Sequence, residues 1–365
     1  MKKISYATYL KRYQKHPLID VRSPLEFKKG HIFSAVNIPL FSNQQRAIVG
    51  TLYKQQGRKR AMFEALKFVS MPTIAQKADR LNSPTLVVHC ARGGMRSYAV
   101  SWLLEFLGYK VLTLELGYKG YRRWVLEQFQ KTYPLFILSG KTGVGKTFFL
   151  KKLTRYIDLE GLACHKGSAF GAYQRAQPTQ ESFENLLAYQ LYRLNNPDSF
   201  KNKNLNLKQN VTQNKDQFIW LEDESRSIGK ITIPEPFFKQ MQTASGLILE
   251  DSQEKRIQRI LAQYRYTPLE KLKSSILKLQ KRLGSEDTKK ALFYLENNDK
   301  KNCCALLLKY YDKTYDYTLK KRKQAKDCPL LDLSLKNNSQ AMALLKDLNL
   351  KIDVLQRALA VGVRQ

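Results

Sequence analysis

The sequence has few cysteines, half as many acidic as basic residues, and no long hydrophobic run. Five cysteines occur in 365 residues, none in a CxxC pair, which excludes a zinc ribbon and predicts free thiols in a reducing compartment. No apolar run could cross a bilayer, and the Lys-rich start lacks the hydrophobic stretch of a secretory signal. We therefore expect a cytoplasmic protein with no membrane partner.

The shortage of acidic residues leaves a strongly basic chain. Lysine and arginine number 63 against 31 aspartates and glutamates, a formal net charge of +32. Such a surface attracts polyanions in a salt-dependent way, so nucleic acid is the expected partner. The alternatives are a generic basic surface or one adapted to anionic lipid, although no basic helix with a clean apolar face favours the lipid.

Apolar segments divide the chain into two alternating strand and helix patterns that meet near residue 131. Strands are predicted at residues 17–21, 84–89, 110–116, 134–138, 217–221 and 246–250. Helices are predicted at residues 97–107, 118–130 and 146–156. Strands that alternate with helices indicate parallel sheets covered on both faces, which is an α/β fold.

Two later segments have distinct compositions. Seven asparagines between residues 195 and 214 predict an exposed insertion near 195–216. From about residue 252 the pattern is helical and basic, and residues 271–326 carry 16 Lys or Arg against 6 Asp or Glu. Tyrosines 294, 310, 311, 315 and 317 are interleaved there. This mixture suits single-stranded or loop RNA, and a solvated helical bundle with half-buried tyrosines is the equal alternative.

Cys90 follows a predicted strand and precedes a predicted helix, so the residues between them must turn sharply. Gly93 and Gly94 permit positive φ angles that point successive N–H groups at one place. Those groups, with Arg92 or Arg96, would favour an anion and stabilise the thiolate. We predict Cys90 as the catalytic residue within this anion-binding loop. A buried structural cysteine would not explain two glycines and two arginines directly after the sulfur.

A second glycine-rich loop follows the apolar strand at 134–138 and opens a helix, which is the context of a P-loop. Its backbone amides would wrap phosphate groups, and its lysine would neutralise their charge. The predicted phosphate-binding residues are Gly140, Gly143, Gly145, Lys146 and Thr147. Because a P-loop recognises phosphate oxygens first, the diphosphate ester of another alcohol could bind in place of a nucleotide.

Acidic residues follow the strand predicted at 217–221, where a P-loop protein can hold magnesium. Thr147 and Asp223 are the candidate magnesium contacts. Further candidate contacts of this second site are His165, Lys166, Ser168, Glu222, Asp223, Glu224 and Arg226.

Four segments before the Cys90 loop resemble the rhodanese family. They are residues 18–24, 26–27, 30–32 and 35–39, in the order and spacing of that family. The resemblance implies a rhodanese-like domain in which Cys90 carries sulfur or selenium. It also implies that the Asp-Val-Arg stretch at 20–22 supports the fold and has no catalytic role.

Longer stretches resemble the bacterial tRNA 2-selenouridine synthase family, from about residue 17 to about 317. Besides the two loops, they are residues 49–55, 117–122, 158–163, 165–171, 177–180, 183–185 and 221–229. The resemblance implies a rhodanese-like parallel-sheet domain at 1–130. A P-loop NTPase-like α/β domain with a basic helical C-terminal part would follow at 131–365. Cys164 departs from the family, where asparagine is expected.

The same resemblance implies the substrates. The enzyme would act on wobble 2-thiouridine in the anticodon loop of tRNA and replace its sulfur with selenium from selenophosphate. Geranyl diphosphate would first alkylate the sulfur. Both small molecules would be co-substrates, with no tightly bound cofactor, and a source of selenophosphate would be a further partner.

Two other functions remain open on the residues alone. The pattern His-Cys-x5-Arg-Ser at 89–97 also fits cysteine-dependent phosphatases, in which the arginine grips phosphate and the cysteine attacks phosphorus. Such a phosphatase could be fused to an NTPase. Alternatively, the chain could be a non-catalytic RNA-binding NTPase with the rhodanese fold as a docking module.

Overall fold

The structure is a computed structural model that describes residues 1–167, 170, 176–197, 218–324 and 330–333. It contains two compact units, of which unit 1 comprises Met1–Lys131 and Thr179–Tyr192, and unit 2 comprises Thr132–Pro178 and Arg193–Gln365. The predicted Asn-rich insertion lies outside the described residues from position 198 onward. In the described ranges, no helix combines the length and apolarity needed to span a bilayer.

The elements alternate along most of the chain. Up to Lys131 they are β1 (Lys2–Ile4), α1 (Tyr6–Thr8), a π-helical turn (Tyr9–Tyr13), β2 (Leu18–Asp20), α2 (Pro24–Lys29), β3 (Val36–Asn37), α3 (Asn43–Phe68), α4 (Met71–Asp79), β4 (Thr85–His89), α5 (Met95–Phe106), β5 (Lys110–Leu114) and α6 (Gly117–Gln130). Next come β6 (Leu135–Gly140), α7 (Lys146–Leu150), β7 (Tyr156–Ile157), α8 (Leu159–Ala163), α9 (Gln180–Asn195), β8 (Ile219–Glu222), β9 (Ser227–Ile228), β10 (Ile231–Thr232), α10 (Glu235–Thr243) and β11 (Gly246–Leu249). The last described elements are α11 (Gln253–Gln263), α12 (Leu269–Lys278), α13 (Gln280–Leu283), α14 (Ser285–Glu296), α15 (Lys300–Gln324) and β12 (Leu330–Leu333).

Unit 1 is built on a five-stranded parallel sheet in the order β1-β5-β4-β2-β3. The apolar run in β4 is buried, as expected for a strand covered on both faces. Ile19 of β2, Val88 of β4 and Leu104 of α5 meet in the core. The predicted parallel α/β sheet is confirmed, and its order places the carboxyl end of β4, where Cys90 begins the loop, near the centre of the sheet.

Unit 1 also contains most of α9, which the sequence-based division assigned to the second domain. The buried Asn185 side chain donates to the His31 carbonyl at 3.0 Å and to the Tyr118 hydroxyl at 2.9 Å. It accepts a hydrogen bond from Arg122 at 2.5 Å. Because these partners come from α6 and from the loop after α2, α9 is hydrogen-bonded to two segments of unit 1.

Unit 2 contains a second parallel sheet in the order β12-β11-β6-β8-β7. The helix predicted at 146–156 is wrong in its length, since α7 ends at Leu150. The Arg155 carbonyl accepts a hydrogen bond from the Trp220 N–H at 2.8 Å, which draws the following residues alongside β8 as β7. Helices α11 to α15 form the predicted helical part, whose core includes Ile276, Leu295 and Leu307.

Candidate functional sites

Cys90 begins the loop between β4 and α5, and its side chain is buried. The Gly94 N–H donates to the Cys90 Sγ at 3.2 Å, and the Ser97 hydroxyl lies 3.2 Å from the same sulfur. Burial opposes ionisation, but hydrogen bonds from the Ser97 hydroxyl and from backbone N–H groups of the loop lower the pKa of Cys90 below its ordinary value. The loop therefore favours the thiolate.

Backbone geometry shapes this loop from two sides. Gly93 has a φ of 66°, but the predicted positive φ is wrong for Gly94, whose φ is −101°. Gly117, which sequence analysis did not single out as a site residue, has a φ of 54°. A Cβ there would lie 2.3 Å from the Cys90 carbonyl oxygen, which accepts a hydrogen bond from the Tyr118 N–H at 2.8 Å. The backbone at the start of α6 therefore packs directly against the Cys90 loop.

The two arginines predicted to bind an anion differ in their surroundings. The Nη1 and Nη2 atoms of Arg96 donate to Glu26 of α2 at 2.7 and 3.1 Å, forming a bidentate pair. Arg92 is exposed. Sequence analysis missed Glu26 because it lies 70 positions before Arg96 and is brought there by the fold. Arg96 therefore holds α2 to the loop, and Arg92 is the more accessible cation for a ligand.

We expect Glu26→Gln to destabilise the protein at neutral pH. Burial raises the pKa of this carboxyl, but the Arg96 guanidinium outweighs it and lowers the pKa of Glu26 from 4.5 to about 2. A carboxyl whose pKa is depressed by folding stabilises the fold above its unfolded pKa. The contribution, about 2–3 kcal/mol, is complete above about pH 5.5 and is lost as the pH falls toward 2. Urea unfolding of wild type and variant between pH 2 and pH 7 measures it.

Glu64→Gln is the matched control, because Glu64 pairs at 3.0 Å with the exposed Lys67. We expect that change to cost no more than about 0.5 kcal/mol at any pH. Equal urea midpoints for wild type and Glu26→Gln at pH 7 would contradict the assignment.

A buried polar network lies beneath the loop. Arg22 donates to the Asp20 carboxylate at 2.7 Å and to the Gly30 carbonyl at 2.7 Å. His89 is completely buried, which lowers its pKa, and its Nδ1 lies 3.3 Å from the Cys90 carbonyl oxygen. These contacts fit a supporting role for residues 20–22 and for His89.

The predicted P-loop joins β6 to α7. Gly140, Gly143 and Gly145 have φ values of 148°, 82° and 97°, which favour glycine. A Cβ on Gly143 would lie 2.8 Å from the Ile260 side chain, so close packing also requires glycine there. The Lys146 Nζ donates to the Gly140 carbonyl at 2.7 Å, which places its ammonium group across the loop.

Two arginines of α11, which sequence analysis missed, hold the P-loop. The buried Arg256 donates to the Thr142 carbonyl at 2.8 Å and pairs with Asp312 of α15 at 2.6 and 2.9 Å. Arg259 donates to the Gly143 carbonyl at 3.2 Å. The basic helical part thus stabilises the phosphate-binding loop through hydrogen bonds to its backbone carbonyls, in addition to carrying surface charge.

A cavity of about 720 Å³ opens beside the P-loop. Its polar lining includes Lys146, Thr147, Glu160, Lys166 and Glu224. Much of the remaining lining is apolar and comes from Phe170, Ile260, Leu272, Ile276, Leu295, Leu307 and Leu308. A molecule with an anionic head and an apolar tail matches this combination of lining residues.

The structure brings only some of the other predicted contacts to this cavity. Those that line it are Lys166, Asp223 and Glu224. The described candidates that do not line it are His165, Glu222 and Arg226. Arg226 pairs with Glu235 at 2.9 Å, and Ser168 lies outside the described residues.

The candidate magnesium contacts have protein partners. Asp223 accepts a hydrogen bond from the Ser139 hydroxyl, and the Thr147 hydroxyl donates to Glu160 at 3.4 Å. Burial and the neighbouring Glu160 carboxylate raise the pKa of Glu222 to about 8. The site therefore concentrates acidic groups beside the P-loop.

Four of the five tyrosines interleaved in the basic helical part are half-buried. Tyr294, Tyr310 and Tyr311 pack against the core of the helical part, and Tyr311 also lines the cavity with Tyr315. Tyr317 is 62% exposed. For most of this set the structure agrees with the alternative of half-buried tyrosines in a helical bundle.

Comparison with known proteins covers both units. A model described as a rhodanese-like domain matches residues 5–123, and one described as the tRNA 2-selenouridine synthase AAA domain matches residues 133–328. The tRNA 2-selenouridine synthase of Shewanella woodyi is 36% identical over 346 residues, covering 85% of this chain and 89% of that protein. The synthase of a Sulfurovum species is 34% identical over 342 residues, covering 84% and 89% respectively.

Proposed function

The chain belongs to the tRNA 2-selenouridine synthase family, and from this membership we propose that it converts wobble 2-thiouridine of tRNA to 2-selenouridine. Selenophosphate supplies the selenium, and the reaction proceeds through an S-geranylated intermediate made from geranyl diphosphate. The observation that carries the geranyl step is the unit 2 cavity, which combines a P-loop with an apolar wall.

In the geranyl step, the 2-thiouridine sulfur attacks C1 of geranyl diphosphate. A carbon–sulfur bond forms, the carbon–oxygen bond to diphosphate breaks, and the N3 proton of the base is released. Lys146 and the P-loop N–H groups stabilise the departing diphosphate, while the apolar lining takes the C10 chain. Geranyl diphosphate would use both parts of this cavity.

In the selenium step, S-alkylation makes C2 of the base electrophilic and turns the sulfur into a leaving group. The selenium of selenophosphate becomes bonded to C2 and the carbon–sulfur bond at C2 breaks, which releases geranyl thiol once a proton is taken up. Water then attacks phosphorus and the phosphorus–selenium bond breaks, which releases inorganic phosphate and leaves the selenium on C2. The Cys90 loop supports binding of the anionic selenophosphate, because its N–H groups already stabilise negative charge on the Cys90 sulfur. Arg92 is the exposed cation beside it.

The phosphatase alternative is less well supported. A phosphatase of this type needs its loop arginine to grip the phosphate oxygens. Arg96 instead makes a bidentate pair with Glu26, and breaking that pair to bind substrate would remove the strongest partner of a half-buried carboxylate.

The test is nucleoside mass spectrometry on 2-thiouridine-containing tRNA incubated with the purified full chain. We expect geranyl-2-thiouridine with geranyl diphosphate alone and 2-selenouridine when selenophosphate is also present. The Shewanella woodyi relative serves as the positive control for the mixture. Unchanged tRNA in every reaction would contradict the proposal, and release of phosphate from an aryl phosphate would then favour the phosphatase.

A further inference from the structure

Three glutamates from separate segments of unit 2 converge beside the P-loop. Glu160 lies on α8, Glu222 ends β8, and Glu224 follows two residues later. One carboxylate oxygen from each lies within 4.8 Å of the others. Like charges at this separation repel, so the arrangement costs stability unless something positive compensates it.

Of the three glutamates, Glu222 is the one whose side chain is fully buried. Its side chain has no exposed surface, and within the described ranges neither of its carboxylate oxygens accepts a hydrogen bond of good geometry. The neighbouring Thr147 hydroxyl donates to Glu160 instead. Burying an acidic group without a partner is costly, and proteins normally offset the cost with a counter-ion or a metal. Lys146 and Lys166 contribute positive charge nearby, and the third lysine, Lys151, pairs with Asp158 at 2.9 Å, so the three glutamates remain in excess.

The backbone at Gly167 approaches two of the three carboxylates closely. A Cβ on Gly167 would lie 2.7 Å from the Glu224 Oε2 and 3.4 Å from the Glu160 Oε1. Gly167 has a φ of 65°, so the chain there adopts a conformation that favours glycine. A side chain at this position would press on two of the three carboxylates, whereas glycine keeps the space open.

We propose that Glu160, Glu222 and Glu224 bind one divalent cation such as Mg²⁺ or Mn²⁺. Carboxylate oxygens are the ligands these hard cations prefer, and three of them leave positions for water or phosphate oxygens. This set differs from the Thr147 and Asp223 pair expected from the sequence.

Glu160 and Glu224 line the cavity with Lys146, so the cation would face the bound ligand. A cation that also binds the diphosphate would stabilise the negative charge of the diphosphate as it departs. That consequence rests on the proposed geranyl transfer. Binding of the cation does not rest on it, so the two can be tested separately.

The test uses the full chain and Mn²⁺ alone, without tRNA or any diphosphate. Electron paramagnetic resonance of free Mn²⁺ gives the number and affinity of bound ions. We expect about one site per chain in the wild type and at least about tenfold weaker binding in Glu222→Gln and Glu160→Gln. Glu270→Gln is the matched control, because the Glu270 side chain is 84% exposed and should bind Mn²⁺ as the wild type does.

Thermal unfolding distinguishes lost ligands from lost folding. Without metal, Glu222→Gln should unfold at a temperature no lower than that of the wild type, because it removes a buried acidic group that has no counter-ion. With Mn²⁺, the wild type should gain stability and the variant should not. Wild type that binds no Mn²⁺, or variants that bind it unchanged, would overturn the site while leaving the geranyl-transfer proposal standing.

Discussion

Cys90→Ser will reduce 2-selenouridine formation by at least about 10³-fold and leave geranyl-2-thiouridine formation unchanged. The hydrogen bonds from Ser97 and the loop amides stabilise a thiolate, and a serine hydroxyl is not ionised near neutral pH. The geranyl step uses the cavity of unit 2, which contains no part of the Cys90 loop. Nucleoside mass spectrometry with both co-substrates measures the two products in one reaction.

Cys164→Ser is the matched control, since Cys164 is a half-buried free thiol with no proposed role. It should make both nucleosides at the wild-type rate. If Cys90→Ser made 2-selenouridine normally, the loop would have no chemical role, and the result would favour the alternative in which the rhodanese fold is a docking module. If it made neither nucleoside and remained folded, the separation into two steps would be wrong.

Lys146→Ala will reduce geranylation by about 10²–10³-fold, because the ammonium group is the charge best placed to stabilise the departing diphosphate. With tRNA that already carries geranyl-2-thiouridine, the same variant should form 2-selenouridine at the wild-type rate. The measurement is the initial rate of each step, followed by nucleoside mass spectrometry with the two tRNA substrates.

Lys152→Ala provides the comparison for charge, because Lys152 is an exposed lysine just after α7 and lies outside the cavity lining. Its removal lowers the net charge equally and should leave both rates unchanged. Equal losses of geranylation rate in the two lysine variants would indicate that Lys146 acts only through the general attraction of the basic chain for tRNA and does not bind the diphosphate. Normal geranylation by Lys146→Ala would place that chemistry outside the P-loop.

The sequence was most informative where the chemistry lies within one short segment. Cys90 and its loop, and Gly140 to Thr147, are contiguous, and Gly93 and the three P-loop glycines adopt backbone conformations that other residues avoid. The parallel sheets were also predictable, because buried strands produce apolar runs that can be recognised without knowing their neighbours.

Contacts between distant segments could not be predicted. Glu26 lies 70 positions from Arg96, and Arg256 lies 56 positions from Asp312. Charged residues are abundant in this chain, so the sequence offers many equivalent partners for each. Only the packing of α2 against the loop, and of α11 against α15, selects one.

The sequence by itself determined that the chain has a cysteine loop, a P-loop and the family's longer motifs. Tertiary structure alone decided that α9 completes unit 1, that the cavity combines a P-loop with an apolar wall, and that three glutamates meet. The physical reason is that backbone conformation follows from neighbouring residues along the chain, whereas burial and charge pairing depend on segments brought together by folding.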